Sequence, residues 1–359
     1  MSGLLDGLRV LDFTIWRPGP YATQLLAELG AEVLKVEPPG GDPMRVYAGL
    51  FDSLSADKRS VVLDLKDERD RGRALELAAD ADVVVEGYRP GVADRLGIGY
   101  DAIRAVNPSV IYCSVSGLGQ DGPLAQASGH DINYLAWSGA LAPEGGPPRE
   151  PAVPVADLSG GMAAAFAICA AVVRRLKTGE GERIDVAMAD VLATWTGAVA
   201  PQAEGTDEGA RGVPGYGTFG TADGGYVVLG VLTEDHFWRP LCEVLELPDD
   251  IAALGFVDRM ARVAALQAQI SDAIGKRSRD DLVGEMLAAG VPVAPVLDRS
   301  GMVGLRHFVD RRAVTTEDWA DPATGFPVRF VNHPATRKEP PPAVDEHRGQ
   351  GFRPRSSAD

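Results

Sequence analysis

The chain contains 359 residues, 45% of them hydrophobic, and carries a formal net charge of −16 at pH 7. This length allows a large core and, at roughly 150 residues per domain, predicts two domains. The negative charge argues against general affinity for nucleic acids and anionic membranes, although a local basic patch could still bind a small anion.

The cysteines, the N-terminal segment and the most apolar run of the chain together predict a cytoplasmic protein. Cys113, Cys169 and Cys242 are far apart and match no metal-ligand or disulfide spacing, so we predict no metal site and a reducing compartment. The N-terminus leads directly into a strand pattern and has no signal-peptide features. The most apolar run, 160–173, is too short to span a membrane and predicts a buried helix.

In the first half of the chain, strand patterns alternate with helix patterns. Strands are predicted at 9–14, 31–37, 60–65, 81–87 and 109–117. Helices are predicted at 21–30, 66–79 and 100–106. Continuous apolar strands separated by helices are typical of a parallel sheet covered on both faces, so the pattern predicts a Rossmann-like α/β domain.

The second half changes in character. Helices are predicted at 160–177 and over 181–195, and the Gly- and Pro-rich segment 201–217 is predicted to be a linker. Residues 218–305 then combine short strands with amphipathic helices, which predicts a smaller α+β domain. We therefore predict a large domain from residues 1–200, completed by the tail 306–359.

A glycine-rich turn raises the possibility of dinucleotide binding. The stretch "GLGQDG" at 117–122 follows a strand and matches the pattern G-x-G-x-x-G. However, Pro123 follows it directly, and no acidic residue stands about 20 residues further on at a second strand end. A nicotinamide-dependent oxidoreductase is therefore disfavoured, and a glycine-rich turn beside another site is the better interpretation.

Several polar residues follow predicted strands, where parallel sheets bind ligands. The turn "TIWRPGP" at 14–20 precedes a helix N-terminus, which suits an anion, although a rigid connector explains it equally well. Arg89 and Arg95 suit a diphosphate, but they and Lys66 also fit a solvated surface.

Two further side chains suit acid–base or nucleophilic chemistry. His130 opens a helix pattern, where Asp131 and Asn133 could orient it, and histidine transfers protons near neutral pH. Asp157 precedes glycines that open a long helix, so it is either a helix N-cap or a carboxylate beside a ligand. A structural role remains an alternative for each residue.

Taken together, these stretches resemble the family III CoA-transferases of the CaiB/BaiF superfamily, which include the α-methylacyl-CoA racemases. The likeness extends from "GLRVLDFT" to "GVPVAPVL" and includes "EGYRPGVADRLG", "GHDINY" and "VADLSGG". It implies an interlocked homodimer with an active site between the large domain of one chain and the small domain of the other. It also implies an acyl-CoA substrate, with coenzyme A as part of that substrate and no tightly bound cofactor.

The intact "GHDINY" string resembles the racemases, so we expect epimerisation of the α-carbon of 2-methyl-branched acyl-CoA thioesters. The resemblance implies that His130 and Asp157 act from opposite faces of that carbon, with an enolate between them. Glu234 is the candidate that supports the histidine. The family pattern further implies that Lys66 lies near the CoA adenine, Arg89 and Arg95 near its phosphates and Tyr134 in the acyl pocket.

The alternative is CoA transfer from an acyl-CoA to a carboxylic acid through an anhydride on Asp157. "VEPPGGD" and "GVPVAPVL" resemble the transferases, and Pro38 stands where the racemase pattern has an arginine. A third possibility is an acyl-CoA binder without catalysis, against which the presence of both His130 and Asp157 argues.

Overall fold

The computed structural model describes residues 3–141, 148–198, 212–315, 323–335 and 337–355. The chain forms two compact units, of which the large unit comprises Met1–Ala200 with Arg306–Asp359 and the small unit comprises Pro201–Leu305. Most of the predicted linker, 201–211, lies outside the described residues, and a strand already begins at Tyr216.

The large unit is built on a six-stranded parallel sheet. Its strands are β1 Arg9–Asp12, β2 Glu32–Glu37, β3 Lys58–Val62, β4 Val83–Glu86, β5 Ile111–Ser116 and β6 Glu182–Ala187. Their order across the sheet is β3-β2-β1-β4-β5-β6. This is a doubly wound order, in which the chain direction across the sheet reverses between β1 and β4.

Helices cover both faces of this sheet. They are α1 Pro18–Glu28, a 3₁₀ helix Pro43–Val46, α2 Ala48–Ser55, α3 Glu68–Ala79, α4 Val92–Arg95, α5 Tyr100–Val106, α6 Asp131–Trp137, α7 Val155–Thr178 and α8 Met188–Gly197. Successive strand residues point to opposite faces: Val10 packs in the core with α1 and α7, and Leu11 packs in the core with α3. The predicted Rossmann-like parallel layout is confirmed.

The small unit has an antiparallel sheet and its own core. Strands β7 Tyr216–Gly220, β8 Tyr226–Gly230 and β9 Val293–Pro295 pair in that order. Its helices are α9 Asp235–Val244, α10 Asp249–Ala252, α11 Phe256–Met260, α12 Val263–Ile274, α13 Arg279–Ala288 and α14 Arg299–Val303. Trp238 is fully buried at the centre, where its indole N–H donates to the Ile251 carbonyl at 2.9 Å.

After the small unit the chain returns to the large one. It forms α15 Arg306–Asp310 and the short antiparallel pair β10 Val314–Thr315 and β11 Ala323–Thr324. The final segment lies along β3: the Asp345 carboxylate accepts from the Val62 N–H at 2.9 Å, and the His347 N–H donates to the Ser60 carbonyl at 2.9 Å. Arg59 adds a bond to the Gly351 carbonyl at 2.6 Å, so the tail is tied to the sheet edge.

Two element predictions are wrong. The single helix predicted over 181–195 is a strand, β6, followed by α8, because residues 182–187 pair in parallel with β5. Pairing with a neighbouring strand decides this segment, and local periodicity does not reveal such a partner. The helix predicted from residue 160 begins five residues earlier, at Val155.

Helix α7 is long and apolar enough by composition to cross a membrane, with a mean hydropathy of 1.7 over its most apolar window. It nevertheless packs against α1, α8 and strands β5 and β6, and Ala164, Ala165 and Ile168 belong to the sheet core. One face of α7 therefore belongs to the core of the large unit, as the sequence predicts, and its other face is exposed. Gly161 allows its close approach to α1, since a methyl group there would lie 2.5 Å from the Pro18 carbonyl oxygen.

Candidate active site

The site lies at the carboxyl edge of the parallel sheet, near the reversal between β1 and β4. Loops leave this edge after β1, after β4 and after β5, and they lead to α1, α4 and α6 respectively. In doubly wound sheets the crevice outside this reversal point is where ligands bind, because the loops on its two sides diverge.

A buried charge network holds the loop that follows β1. The Asp12 carboxylate accepts from the Thr14 N–H at 2.9 Å and from the Thr23 hydroxyl at 2.5 Å. Lys58 Nζ lies 3.3 Å from Asp12, and Lys35 Nζ donates to the Thr14 carbonyl at 2.6 Å. Burial alone would raise the pKa of Asp12, but the charges of Lys58 and Lys35 and the threonine bonds lower it to about 2.

The far end of this loop carries the first functional side chain, Arg17. Before it stands Trp16, half-exposed and in the left-handed backbone region with φ of 64°. Such a conformation is unfavourable for a bulky residue and persists where the surroundings impose it. Arg17 then points its guanidinium toward the first turn of α7, where Nη1 lies 3.9 Å from Asp157 Oδ2.

Asp157 occupies the third position of α7, and its side chain is 16% exposed. The residue at the N-cap is Pro154, so the N-cap interpretation of Asp157 is wrong. Its backbone N–H donates to Asp131 Oδ1 at 2.9 Å. Burial first and the charge of Asp131 second raise the pKa of Asp157, the charges of Arg17 and His130 oppose the shift, and together they place the pKa at about 6.

His130 lies at the N-cap of α6 and is exposed. Its backbone N–H donates to Asn133 Oδ1 at 3.0 Å, so Asn133 bonds the main chain at this position. Asp131, which we expected to orient the imidazole, bonds the α7 backbone. The structure thus places His130 within electrostatic range of Asp157, and the two residues expected to orient the imidazole bond main-chain N–H groups instead.

Tyr134 is buried behind these residues. Its hydroxyl donates to the Gly129 carbonyl at 2.7 Å, and a methyl group at Gly117 would overlap its ring. Burial raises the pKa of this phenol, the charge of Asp157 adds to the effect, and the charge of Arg89 opposes it. Tyr134 therefore lies within electrostatic range of the Asp157 carboxylate and supports the loop that ends at His130.

The predicted CoA-binding cations are exposed around the same edge. Arg89 lies in the loop after β4, Arg95 ends α4, and Lys66 precedes α3. Arg89 acts electrostatically on Tyr134, whereas no contact in the described parts of the chain joins Lys66 or Arg95 to Asp157. Glu234 belongs to the small unit, where it is the N-cap of α9 and accepts from the Leu232 N–H at 3.2 Å.

The sequence predictions missed Arg17 and the contact of Asp131 with α7. Arg17 belongs to the turn "TIWRPGP", which follows a predicted strand, and this position is the signal that could have identified it. The bond between Asp131 and Asp157 joins residues 26 positions apart and has no local signal. Within the described ranges, no group of three or more His, Cys, Asp or Glu side chains could hold a metal ion.

Comparisons with known proteins match nearly the whole chain to one protein family. Residues 5–348 match the profile of CoA-transferase family III. The chain is 34% identical to an acetyl-CoA:oxalate CoA-transferase of Acetobacter aceti over 96% of its length and 94% of that protein. It is 32% identical to a human succinyl-CoA:glutarate CoA-transferase, with 96% and 84% of the two chains covered.

Solved structures show the same fold. The crystal structure of Rv3272 from Mycobacterium tuberculosis superposes with a TM-score of 0.86 at 30% identity, covering 96% of this chain and 98% of that one. A CaiB/BaiF family protein from Brucella suis superposes with a TM-score of 0.84 at 28% identity, covering 97% and 98%.

Proposed function

The chain belongs to CoA-transferase family III, and on that premise we propose that it moves CoA from an acyl-CoA to a carboxylic acid with Asp157 as the nucleophile. The curated relatives named above are CoA-transferases and none is a racemase, which favours this function over α-carbon epimerisation. Our first expectation, a racemase, is therefore replaced by its alternative.

The observation that carries the proposal is the environment of the Asp157 carboxylate. It lies in the first turn of α7 at the ligand-binding edge of the sheet, and its pKa of about 6 leaves it mainly ionised at pH 7. A carboxylate with a raised pKa is more basic than a solvated one, and therefore a better nucleophile toward a thioester.

The reaction that follows is acyl transfer. Asp157 attacks the thioester carbonyl carbon, the carbon–sulfur bond breaks, and CoA leaves as a thiolate while an acyl-aspartyl anhydride forms. The Arg17 guanidinium, 3.9 Å from the carboxylate, can stabilise negative charge on the carbonyl oxygen during the attack. The CoA thiolate then attacks the aspartyl carbonyl carbon of the anhydride, which releases the donor acid and leaves an aspartyl-CoA thioester. The acceptor carboxylate displaces CoA from this thioester as a thiolate and forms a second mixed anhydride. The thiolate attacks the acceptor acyl carbon of that anhydride, which gives the new acyl-CoA and frees the Asp157 carboxylate.

Substrate binding follows from the charges around this edge. We assign Arg89 and Arg95 to the CoA diphosphate and Lys66 to its adenine end, with Tyr134 beside the acyl group. The relatives named above use oxalate or glutarate, so a dicarboxylic acid is the acceptor class that we test first. In this proposal Glu234 takes no part in the transfer step. CoA enters as part of the substrate, and no tightly bound cofactor is required.

A homodimer is part of the proposal, and the exposed face of α7 supports it. Its apolar residues recur at intervals of four, three, four and three, a heptad-like stripe formed by Met162, Phe166, Cys169, Val173 and Leu176. Phe166 is 76% exposed and Leu176 is 80% exposed. An apolar stripe with this spacing suits packing against another helix, and we assign it to a second copy of the chain.

The test uses purified enzyme with acetyl-CoA or succinyl-CoA and with oxalate, mesaconate or glutarate as acceptor, and measures new acyl-CoA by mass spectrometry. We expect Asp157→Asn to abolish transfer, and His130→Ala to retain at least a tenth of it. Hydroxylamine added with the donor alone is expected to label Asp157 as a hydroxamate. Asp190→Asn, which removes an exposed first-turn acid of α8, is the matched control.

A second assay addresses epimerisation. A 2-methylacyl-CoA of one configuration in D₂O, without an acceptor acid, reports deuterium at the α-carbon. Rapid deuteration with loss of configuration, abolished in His130→Ala and without any Asp157 adduct, would overturn the transferase proposal.

A further inference from the structure

The first turn of α7 obtains a hydrogen-bond acceptor from outside its own helix. The first N–H groups of a helix have no intrahelical partner, and the N-cap residue Pro154 has no side-chain acceptor. Asp131 Oδ1 fills this role at 2.9 Å from the Asp157 N–H. Asp131 is the first residue of α6, so the contact also ties α6 to the helix that carries the proposed nucleophile.

The capping bond itself does not require a charged side chain, although the dipoles of α6 and α7 favour a negative charge at their first turns. Asparagine and serine cap helices about as well as aspartate, because each presents a side-chain oxygen to the backbone N–H. A negative charge here places a second carboxylate beside Asp157, which is unfavourable for two like charges in a partly buried site.

The groups that face Asp157 come from two elements, the loop after β1 and helix α6. Arg17 approaches from the loop after β1, Asp131 and His130 from the start of α6, and Tyr134 from one turn further along α6. Arg17 and His130 favour the ionised form of Asp157, and the Tyr134 hydroxyl donates its hydrogen bond to the Gly129 carbonyl. After burial itself, Asp131 is the cause that holds the pKa of Asp157 near 6.

We propose that Asp131 is a positioning residue for Asp157, which holds the first turn of α7 by its hydrogen bond and sets by its charge the pH range in which Asp157 reacts. The inference rests on the proposed nucleophilic role of Asp157. The hydrogen bond fixes where the carboxylate projects, and the charge keeps it more basic than an isolated aspartate.

Two substitutions separate the bond from the charge. Asp131→Asn keeps the side-chain oxygen and removes the charge, whereas Asp131→Ala removes both. With the donor and acceptor pair that the wild-type enzyme uses, we expect the acid limb of kcat/KM to move about one pH unit lower in both variants. Asp131→Ala is also expected to lower kcat on the plateau at least tenfold and to lower Tm, while Asp131→Asn keeps the wild-type Tm.

Asp101→Asn is the matched control, since it removes one exposed first-turn acid from α5, remote from Asp157 in sequence. It is expected to leave the pH profile unchanged. An unchanged acid limb in Asp131→Asn would reduce Asp131 to a helix cap and overturn the inference.

A second readout needs no substrate. In protein labelled with ¹³C-aspartate, the Asp157 carboxyl resonance is identified by its loss in Asp157→Asn and is titrated with and without the Asp131→Asn change. A lower titration midpoint in Asp131→Asn supports the inference even if no acyl-CoA is turned over, which would count against the proposed function alone. An unchanged midpoint overturns the inference even if transfer is observed.

Discussion

Replacing Asp157 by asparagine is expected to stabilise the folded protein at pH 8. The pKa of Asp157 is raised from 3.8 to about 6, so ionising this group is harder in the folded chain than in the unfolded one. Each pKa unit corresponds to about 1.4 kcal/mol, which gives an upper value of about 3 kcal/mol. Since the side chain is 16% exposed and water screens part of the effect, we expect a gain of about 1–3 kcal/mol.

The sign and the pH window follow from proton linkage. The pKa of Asp157 is higher in the folded chain than in the unfolded one. Its contribution to the free energy of unfolding is therefore fully present below pH 3.8 and is lost as the pH rises through about 6. Asparagine cannot ionise, so the advantage of Asp157→Asn should grow between about pH 4 and pH 6 and stay constant above that. At pH 5 roughly half of the gain should be present.

The assay is urea unfolding of the wild type and Asp157→Asn at pH 5 and pH 8, followed by circular dichroism. Asp190→Asn serves again as the control, since it removes an exposed charge from a comparable helix position and should have the same small effect at both pH values. A variant that is no more stable than the wild type at pH 8, or equally stabilised at both pH values, would refute the argument that burial and Asp131 disfavour the ionised carboxylate.

Two further predictions concern packing and assembly. Gly117→Ala places a methyl group against the Tyr134 ring and should lower stability by about 1–3 kcal/mol in thermal unfolding, whereas Gly87→Ala, with its nearest neighbouring atom 3.7 Å away, should be tolerated. Phe166→Glu puts a charge into the α7 stripe and should shift the protein from dimer to monomer in light scattering. Thr178→Glu, an exposed position on the opposite side of the same helix, should leave the dimer intact. A wild-type protein that is already monomeric would refute the assigned interface.

The local pattern of the sequence determined much of the large unit. The short apolar strands around Val10, Val33, Val83 and Ile111 are buried on both faces, and this continuous burial is visible as uninterrupted runs of branched residues. His130 and Asp157 were identified because histidine and aspartate suit this chemistry and because they stand beside strand ends and glycines. Signals of this kind depend only on near neighbours in the chain.

Tertiary structure decided the features that depend on distant partners. Residues 182–187 are a strand because β5 offers them a hydrogen-bonding edge, and α7 begins at Val155, where the Asp131 carboxylate accepts from its first turn. Arg17 meets Asp157 only because α1 and α7 pack together on one face of the sheet. Sequence periodicity reports which face of an element is buried, but the order of the strands determines which loops meet, and with them the charges that tune Asp157.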